Sequence, residues 1–185
     1  VSYFPLYNST KANTLASLKP HLEKSLIEEL FIFTRSQWEN STEDILSEKA
    51  LTAEIVQNAW REKLDINIPK ITATDAAKRL LNVVPDHDLL LYEYYLTDKA
   101  GHNKSIDDAR RVLQPLDEFL LHIIKHKRSE DVLVITSDHG NLEDLSVKTH
   151  TRNEVPLFVM GEGIEHFNDL ESLVGVKDGI LKILK

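Results

Sequence analysis

Cysteine is missing from all 185 residues. Disulfides and thiolate metal sites are therefore excluded, and any coordination falls to carboxylate oxygen and imidazole nitrogen. Methionine occurs once, at Met160, so the chain does not open on an initiator. Val1-Ser2-Tyr3-Phe4-Pro5 has neither the basic nor the apolar region of a signal peptide. A piece of a longer protein, or a processed one, is the expectation. Long apolar stretches are also lacking: the run from Leu89 through the aromatics to Leu96 falls well short of the roughly 20 residues that cross a bilayer. No membrane partner is expected, and the location expected is cytoplasmic. Positive charge is scarce, with 22 Lys and Arg against 30 Asp and Glu and a net charge of −8. That balance repels a phosphodiester backbone, and His126-Lys127-Arg128 is too short a cluster to reverse it, so no nucleic-acid partner is expected.

What is present divides the chain in two. Leu22, Leu26, Ile27 and Leu30 fall at helical spacing after Pro20, which predicts a helix from Pro20 to Phe31. Ala53, Val56, Ala59, Trp60 and Leu64 repeat the rhythm and predict a second helix between residues 41 and 64. Thr72-Ala73-Thr74-Asp75 resembles a capping box that opens a short helix through Leu81, and Pro85-Asp86-His87-Asp88 makes the next turn. Residues 1–85 hold no recognisable chemistry and are expected to be a helical connecting or cap segment.

Residues 86–185 have a different character. Leu89 to Leu96 reads as a strand covered on both faces. Ile106, Ala109, Leu113, Leu116, Leu120 and Ile123 mark a long helix from about Lys104 to Lys127, with Asp107 and Asp108 at its start and Lys125 to Lys127 at its end, as the helix dipole favours. Pro115 inside it should kink it at a cost of roughly 3 kcal/mol. Val132–Thr136 and Val155–Met160 read as further buried strands, and Asp169–Lys185 as a last helix. The order predicts an α/β fold with a mostly parallel sheet and helices on both faces.

Ligands of open α/β sheets bind beyond the carboxyl ends of the strands. Two such ends carry the same chemistry: Asp98 to His102 with Gly101 at an expected tight turn, and Asp138-His139 followed by Gly140 and Asn141. His150 follows shortly before the third strand. Carboxylate and imidazole are the donors that Zn²⁺ and Mn²⁺ accept without thiolate. A lone aspartate at a strand end is usually a cap and a lone histidine usually a satisfied core group; the pairing at two ends is what gives these weight. His21, His122, His126 and His166 are read as solvated or core residues, and His87 as part of a surface turn.

Thr97-Asp98-Lys99-Ala100-Gly101-His102, Ser137-Asp138-His139-Gly140-Asn141 and His150-Thr151-Arg152-Asn153-Glu154-Val155-Pro156-Leu157 resemble the C-terminal metal motifs of the alkaline phosphatase superfamily. Within it, they are most similar to the branch of cofactor-independent phosphoglycerate mutase and related bacterial metalloenzyme-domain proteins. The resemblance implies an alkaline-phosphatase-like fold and two divalent ions, Mn²⁺ or Zn²⁺. One ion would take Asp98, His102 and His150, and the other Asp138 and His139. It also implies a small phosphorylated substrate and phosphatase, phosphomutase or phosphodiesterase chemistry. Lys99 and Arg152, each beside a ligand, are candidates for phosphate oxygens; Asn141 and Glu143 are candidates for support behind the ligands.

The superfamily's Ser or Thr nucleophile and a further Asp ligand come from an N-terminal strand ending in Asp-Gly, and no segment before Asp98 fits that description. The implied fold is incomplete, with the nucleophile upstream of Val1, the 185-residue chain inactive by itself, and homodimerisation through exposed sheet edges. Two other readings stand beside this one: a non-catalytic metal-binding or interaction module without a nucleophile, and a one-metal hydrolase built on Asp98, His102, His150 and a bound water.

Overall fold

A computed structural model describes residues 2–4, 42–63 and 66–184. The chain forms two compact units, Val1–Tyr94 and Tyr95–Lys185. The helix predicted from Pro20 to Phe31 lies outside the described residues.

In the first unit, strand β1 (Ser2–Phe4) pairs in parallel with β2 (Leu90–Tyr92). Between them in sequence lie α1 (Thr42–Leu46), α2 (Asn58–Lys63), α3 (Ala73–Val83) and a 3-10 turn at Val84–Asp86. Helix α3 begins as its capping box predicts, with the Thr72 hydroxyl accepting from the Asp75 N–H at 3.0 Å. The single helix expected between 41 and 64 is instead two short ones. The intervening chain turns sharply, with Glu48, Ile55 and Gln57 at positive φ. Its backbone is held by short-range turn bonds, such as Lys49 N–H to the Asp44 carbonyl at 2.8 Å, and by side chains from further along the chain. The buried Arg79 guanidinium on α3 donates to the carbonyls of Ile45 at 3.0 Å and Ala50 at 3.4 Å, and to Gln57 Oε1 at 3.4 Å. The Tyr92 hydroxyl donates to the Thr52 carbonyl at 2.8 Å and accepts from the Ile55 N–H at 3.1 Å. Ile45, Ala50 and Ile68 form the core here, with Trp60, Ile66, Val83 and Leu90 packed on it.

The second unit runs α4 (Leu96–Asn103), α5 (Ile106–His126), β3 (Leu133–Thr136), β4 (Leu157–Met160), a 3-10 turn at Ile164–Phe167 and α6 (Val174–Ile183). The apolar run read as a strand to Leu96 stops at Tyr92, and α4 starts at Leu96, which moves Asp98 from a strand end into the first turn of a helix. Lys104 at φ 55° ends α4, and Ser105 then caps α5 by accepting from the Asp108 N–H at 3.1 Å. Helix α5 continues through Pro115 for 21 residues and buries Ala109, Phe119 and Ile123. At the end of the chain Gly179 of α6 lies against the Phe167 ring, where a Cβ would come within 2.6 Å.

The mostly parallel sheet is corrected by the described strands. β3 and β4 run antiparallel, with Leu133 opposite Met160 and Thr136 opposite Leu157, and only β1 and β2 are parallel. A parallel return needs a crossover, normally a helix. The chain from Ser137 to Pro156 has only turns and one antiparallel bridge, Gly140 to Thr151, and doubles back. β4 is also not covered on both faces: Phe158 is 64% exposed and alternates with half-buried Leu157 and Val159. The architecture is mixed helix and sheet.

Candidate metal centre

Asp98 and His102 are four residues apart on α4, so both side chains leave the same face of the helix. The expected turn at Gly101 is therefore a helical turn. Asp98 Oδ1 lies 3.3 Å from His102 Nε2. The other ring nitrogen, His102 Nδ1, is 2.6 Å from the Lys148 carbonyl. A carbonyl can only accept, so Nδ1 carries the proton and a neutral His102 presents a bare Nε2 to its neighbours.

The remaining imidazoles come from the chain that doubles back between β3 and β4. The Thr151 N–H donates to the Gly140 carbonyl at 2.8 Å, and in this antiparallel bridge His139 and His150 are diagonal neighbours on one face. Their rings stack with centroids 3.6 Å apart and planes 15° from parallel. His150 Nε2 lies 3.2 Å from Asp98 Oδ1 and 3.2 Å from His102 Nε2. His139 Nε2 is 3.9 Å from the same Asp98 oxygen and 3.5 Å from Asp138 Oδ2.

Asn141 ties the two sources of ligands together. Its buried amide donates to the Asp98 carbonyl at 3.0 Å and to Asp98 Oδ1 at 2.5 Å. Gly101 makes room for it, because a Cβ there would run into Asn141 Oδ1 and lie 2.6 Å from Asn141 Cγ. Glu143 accepts from the Asn141 N–H at 2.6 Å, from the Thr151 hydroxyl, and from Asn153 Nδ2 at 3.0 Å. These bonds, the Thr151 hydroxyl first among them, hold its carboxyl down at about 2.

The donor set suits a divalent ion. Atoms sharing one tetrahedral ion at about 2.0–2.1 Å stand about 3.3 Å from one another, and Asp98 Oδ1, His102 Nε2 and His150 Nε2 are separated by 3.3, 3.2 and 3.2 Å. A second set, Asp98, His139 and His150, has its donor atoms within 4.8 Å of one another. The first is tighter, and Asp98 belongs to both.

Comparison with known proteins agrees with this chemistry. The sequence pattern of the Metalloenzyme superfamily matches residues 40–185, most of the chain. The chain belongs to the Metalloenzyme superfamily. Among its relatives, a 2,3-bisphosphoglycerate-independent phosphoglycerate mutase of Thermococcus gammatolerans is 29% identical over 105 residues, 54% of this chain and 25% of the relative. A second such mutase, from Methanocaldococcus jannaschii, is 26% identical over 97 residues, 52% of this chain and 23% of the relative. A phosphopentomutase of Clostridioides difficile is 33% identical over 81 residues, 43% of this chain and 20% of the relative. The chain thus spans about a quarter or less of the length of these relatives. No solved structure matches it.

In this Metalloenzyme-superfamily chain the five expected ligands, Asp98, His102, Asp138, His139 and His150, lie in one cluster. Asn141 and Glu143 are behind it. Lys99 and Arg152 are exposed, and the structure gives neither an ion pair among the described residues. Three contributors were not read from the sequence: the Lys148 carbonyl, the Thr151 hydroxyl and the Asn153 amide. Only adjacency to His150 in the chain hinted at Thr151. No described helix is long and apolar enough to cross a membrane.

Proposed function

We propose that this chain supplies the metal-binding part of a phosphoryl-transfer enzyme that acts on a small phosphorylated substrate. The triangle of Asp98 Oδ1, His102 Nε2 and His150 Nε2, with His102 steadied on the Lys148 carbonyl, carries the reading. These three residues hold one divalent ion, Mn²⁺ or Zn²⁺, and Asp138 with His139 contributes to a second. When bound, such ions lower the pKa of a hydroxyl nucleophile and neutralise phosphoryl oxygens in an in-line displacement.

The chain's own residues do the positioning. Asn141 holds the Asp98 carboxylate toward the imidazoles, and the Gly140–Thr151 bridge keeps His139 beside His150. Lys99 and Arg152, exposed beside the ligands, meet the oxygens of the substrate phosphate. No segment before Asp98 has a strand ending in Asp-Gly, so the Ser or Thr nucleophile and the ligands completing the second ion are assigned to sequence upstream of Val1, and the 185-residue chain binds metal without turning over substrate. The mutase relatives support the phosphoryl-transfer reading, since their names specify rearrangement of phosphoglycerate and phosphopentose.

The test is metal titration of this chain and phosphate-ester turnover by the full gene product. His150→Ala should abolish tight binding of the first ion, and Asp138→Asn should remove phosphoryl transfer. Undiminished binding and activity in both variants would overturn the reading. Metal binding by a full-length product that never turns over a phosphate ester would favour the non-catalytic module, and a single ion per active full-length chain the one-metal hydrolase.

A further inference from the structure

We infer that Glu143, Thr151 and Asn153 form a clasp that positions the His139 and His150 imidazoles. This rests on the metal-centre reading and assigns to three residues outside the ligand set the task of fixing two members of it.

The two histidines are separated in sequence by a stretch with no helix or strand, so nothing in regular secondary structure sets their spacing. His102 is steadied by its own Nδ1 hydrogen bond, the usual device for a metal-binding imidazole. His139 has no equivalent: its Nδ1 is buried and unpartnered among the described residues. Its place must be set through the backbone. The clasp does this from two residues beyond His139 and from one and three residues beyond His150. Glu143 Oε2 takes the N–H of Asn141 on the outgoing side of the loop, while Oε1 takes the Thr151 hydroxyl and the Asn153 amide on the returning side. Thr151 Oγ1 also accepts from the Asn153 N–H at 3.3 Å. One carboxylate thus spans both sides of the loop, closing it beside the Gly140–Thr151 bridge.

Fit at this point is close. A Cβ on Gly140 would meet Thr151 Oγ1 and come within 2.6 Å of Glu143 Oε1, so only glycine lets the carboxylate reach the hydroxyl over the backbone. Glu143 is acidified by these same bonds and stays an anionic acceptor well below neutral pH.

Thr151→Val keeps the β-branched shape and deletes the hydroxyl, whereas Thr151→Ser keeps the hydroxyl. In calorimetric titration of the 185-residue chain with Zn²⁺ alone, Thr151→Val should weaken binding by about 10–100-fold, as losses behind metal ligands do. Thr151→Ser should bind close to wild type, and Asn153→Ala should fall between them. Nitrogen and proton spectra of the imidazoles in the metal-free chain supply a second readout. The mutual ring-current shift of His139 and His150 should be lost in Thr151→Val and kept in Thr151→Ser. A folded Thr151→Val that binds Zn²⁺ like wild type, or a Thr151→Ser as weak as Thr151→Val, overturns the clasp. If Thr151→Val does not fold, Asn153→Ala decides: unchanged affinity and ring shifts overturn it, loss of both supports it. Wild type that binds no Zn²⁺ would sink the metal-centre reading, while the ring shifts of the metal-free variants would still judge the clasp.

Discussion

Replacing Gly101 by alanine sets two effects of opposite sign against each other. Within a helix interior alanine is favoured over glycine by about 1 kcal/mol, and Gly101 lies inside α4. A Cβ at this position, however, would run into Asn141 Oδ1 and lie 2.6 Å from Asn141 Cγ and 3.0 Å from its Nδ2. Asn141 has little room to retreat, being 4% exposed and tethered to both the carbonyl and the carboxylate of Asp98. Forcing a packed group aside costs about 1–3 kcal/mol, and breaking a hydrogen bond to a carboxylate costs about 1.5–3 kcal/mol. The losses exceed the gain by about 1.5–5 kcal/mol. Urea denaturation of wild type, Gly101→Ala, Asn141→Ala and the double variant measures this directly. With the asparagine truncated the obstacle is gone, so the double variant should be less destabilised than the sum of the singles by more than about 1 kcal/mol. A Gly101→Ala chain more stable than wild type, or strictly additive losses, would refute the reasoning.

In the first unit, Arg79→Met should cost about 3 kcal/mol in urea denaturation, because it leaves the Ile45 and Ala50 carbonyls and Gln57 Oε1 without their donor; an unchanged midpoint would count against the guanidinium as organiser of the 47–57 chain. Tyr92→Phe removes one donor and one acceptor from the same chain and should cost about 1–3 kcal/mol, read in the same way. The Glu143 carboxyl is depressed from 4.5 to about 2 in the folded state, so its contribution to stability is present above the unfolded value and is lost as pH falls from 4.5 toward 2. Glu143→Gln should accordingly flatten the stability profile across that window, and an unaltered acid limb would contradict the network.

Local signals survived in the sequence where one segment decides its own structure. Thr72 and Asp75 announced the start of α3, and the periodic apolar positions from Ile106 to Ile123 announced α5. The 41–64 segment was misread because its breaks are imposed from afar, by Arg79 and Tyr92. Helix α4 was hidden for another reason: the apolar run continues through Tyr95 to Leu96, and periodicity cannot separate a strand from a helix start over so few residues. Strand direction turned on the chain between Ser137 and Pro156, whose lack of helix signals was the available clue to an antiparallel return. The Asp and His set was legible because carboxylates and imidazoles recur beside glycines. The Lys148 carbonyl was not, since any residue can offer one.

Placing Asp98 and His102 one turn apart on α4 also governs how this centre tolerates changes of chain length. Adding or deleting a single residue between them swings one donor about 100° around the helix axis and off the shared face. Extra residues between Asp144 and Val147, in a turn on the exposed side of the loop, leave the bridge at Gly140 and Thr151 able to close. Redesign for a different ion therefore has one adjustable span and one that admits only substitution.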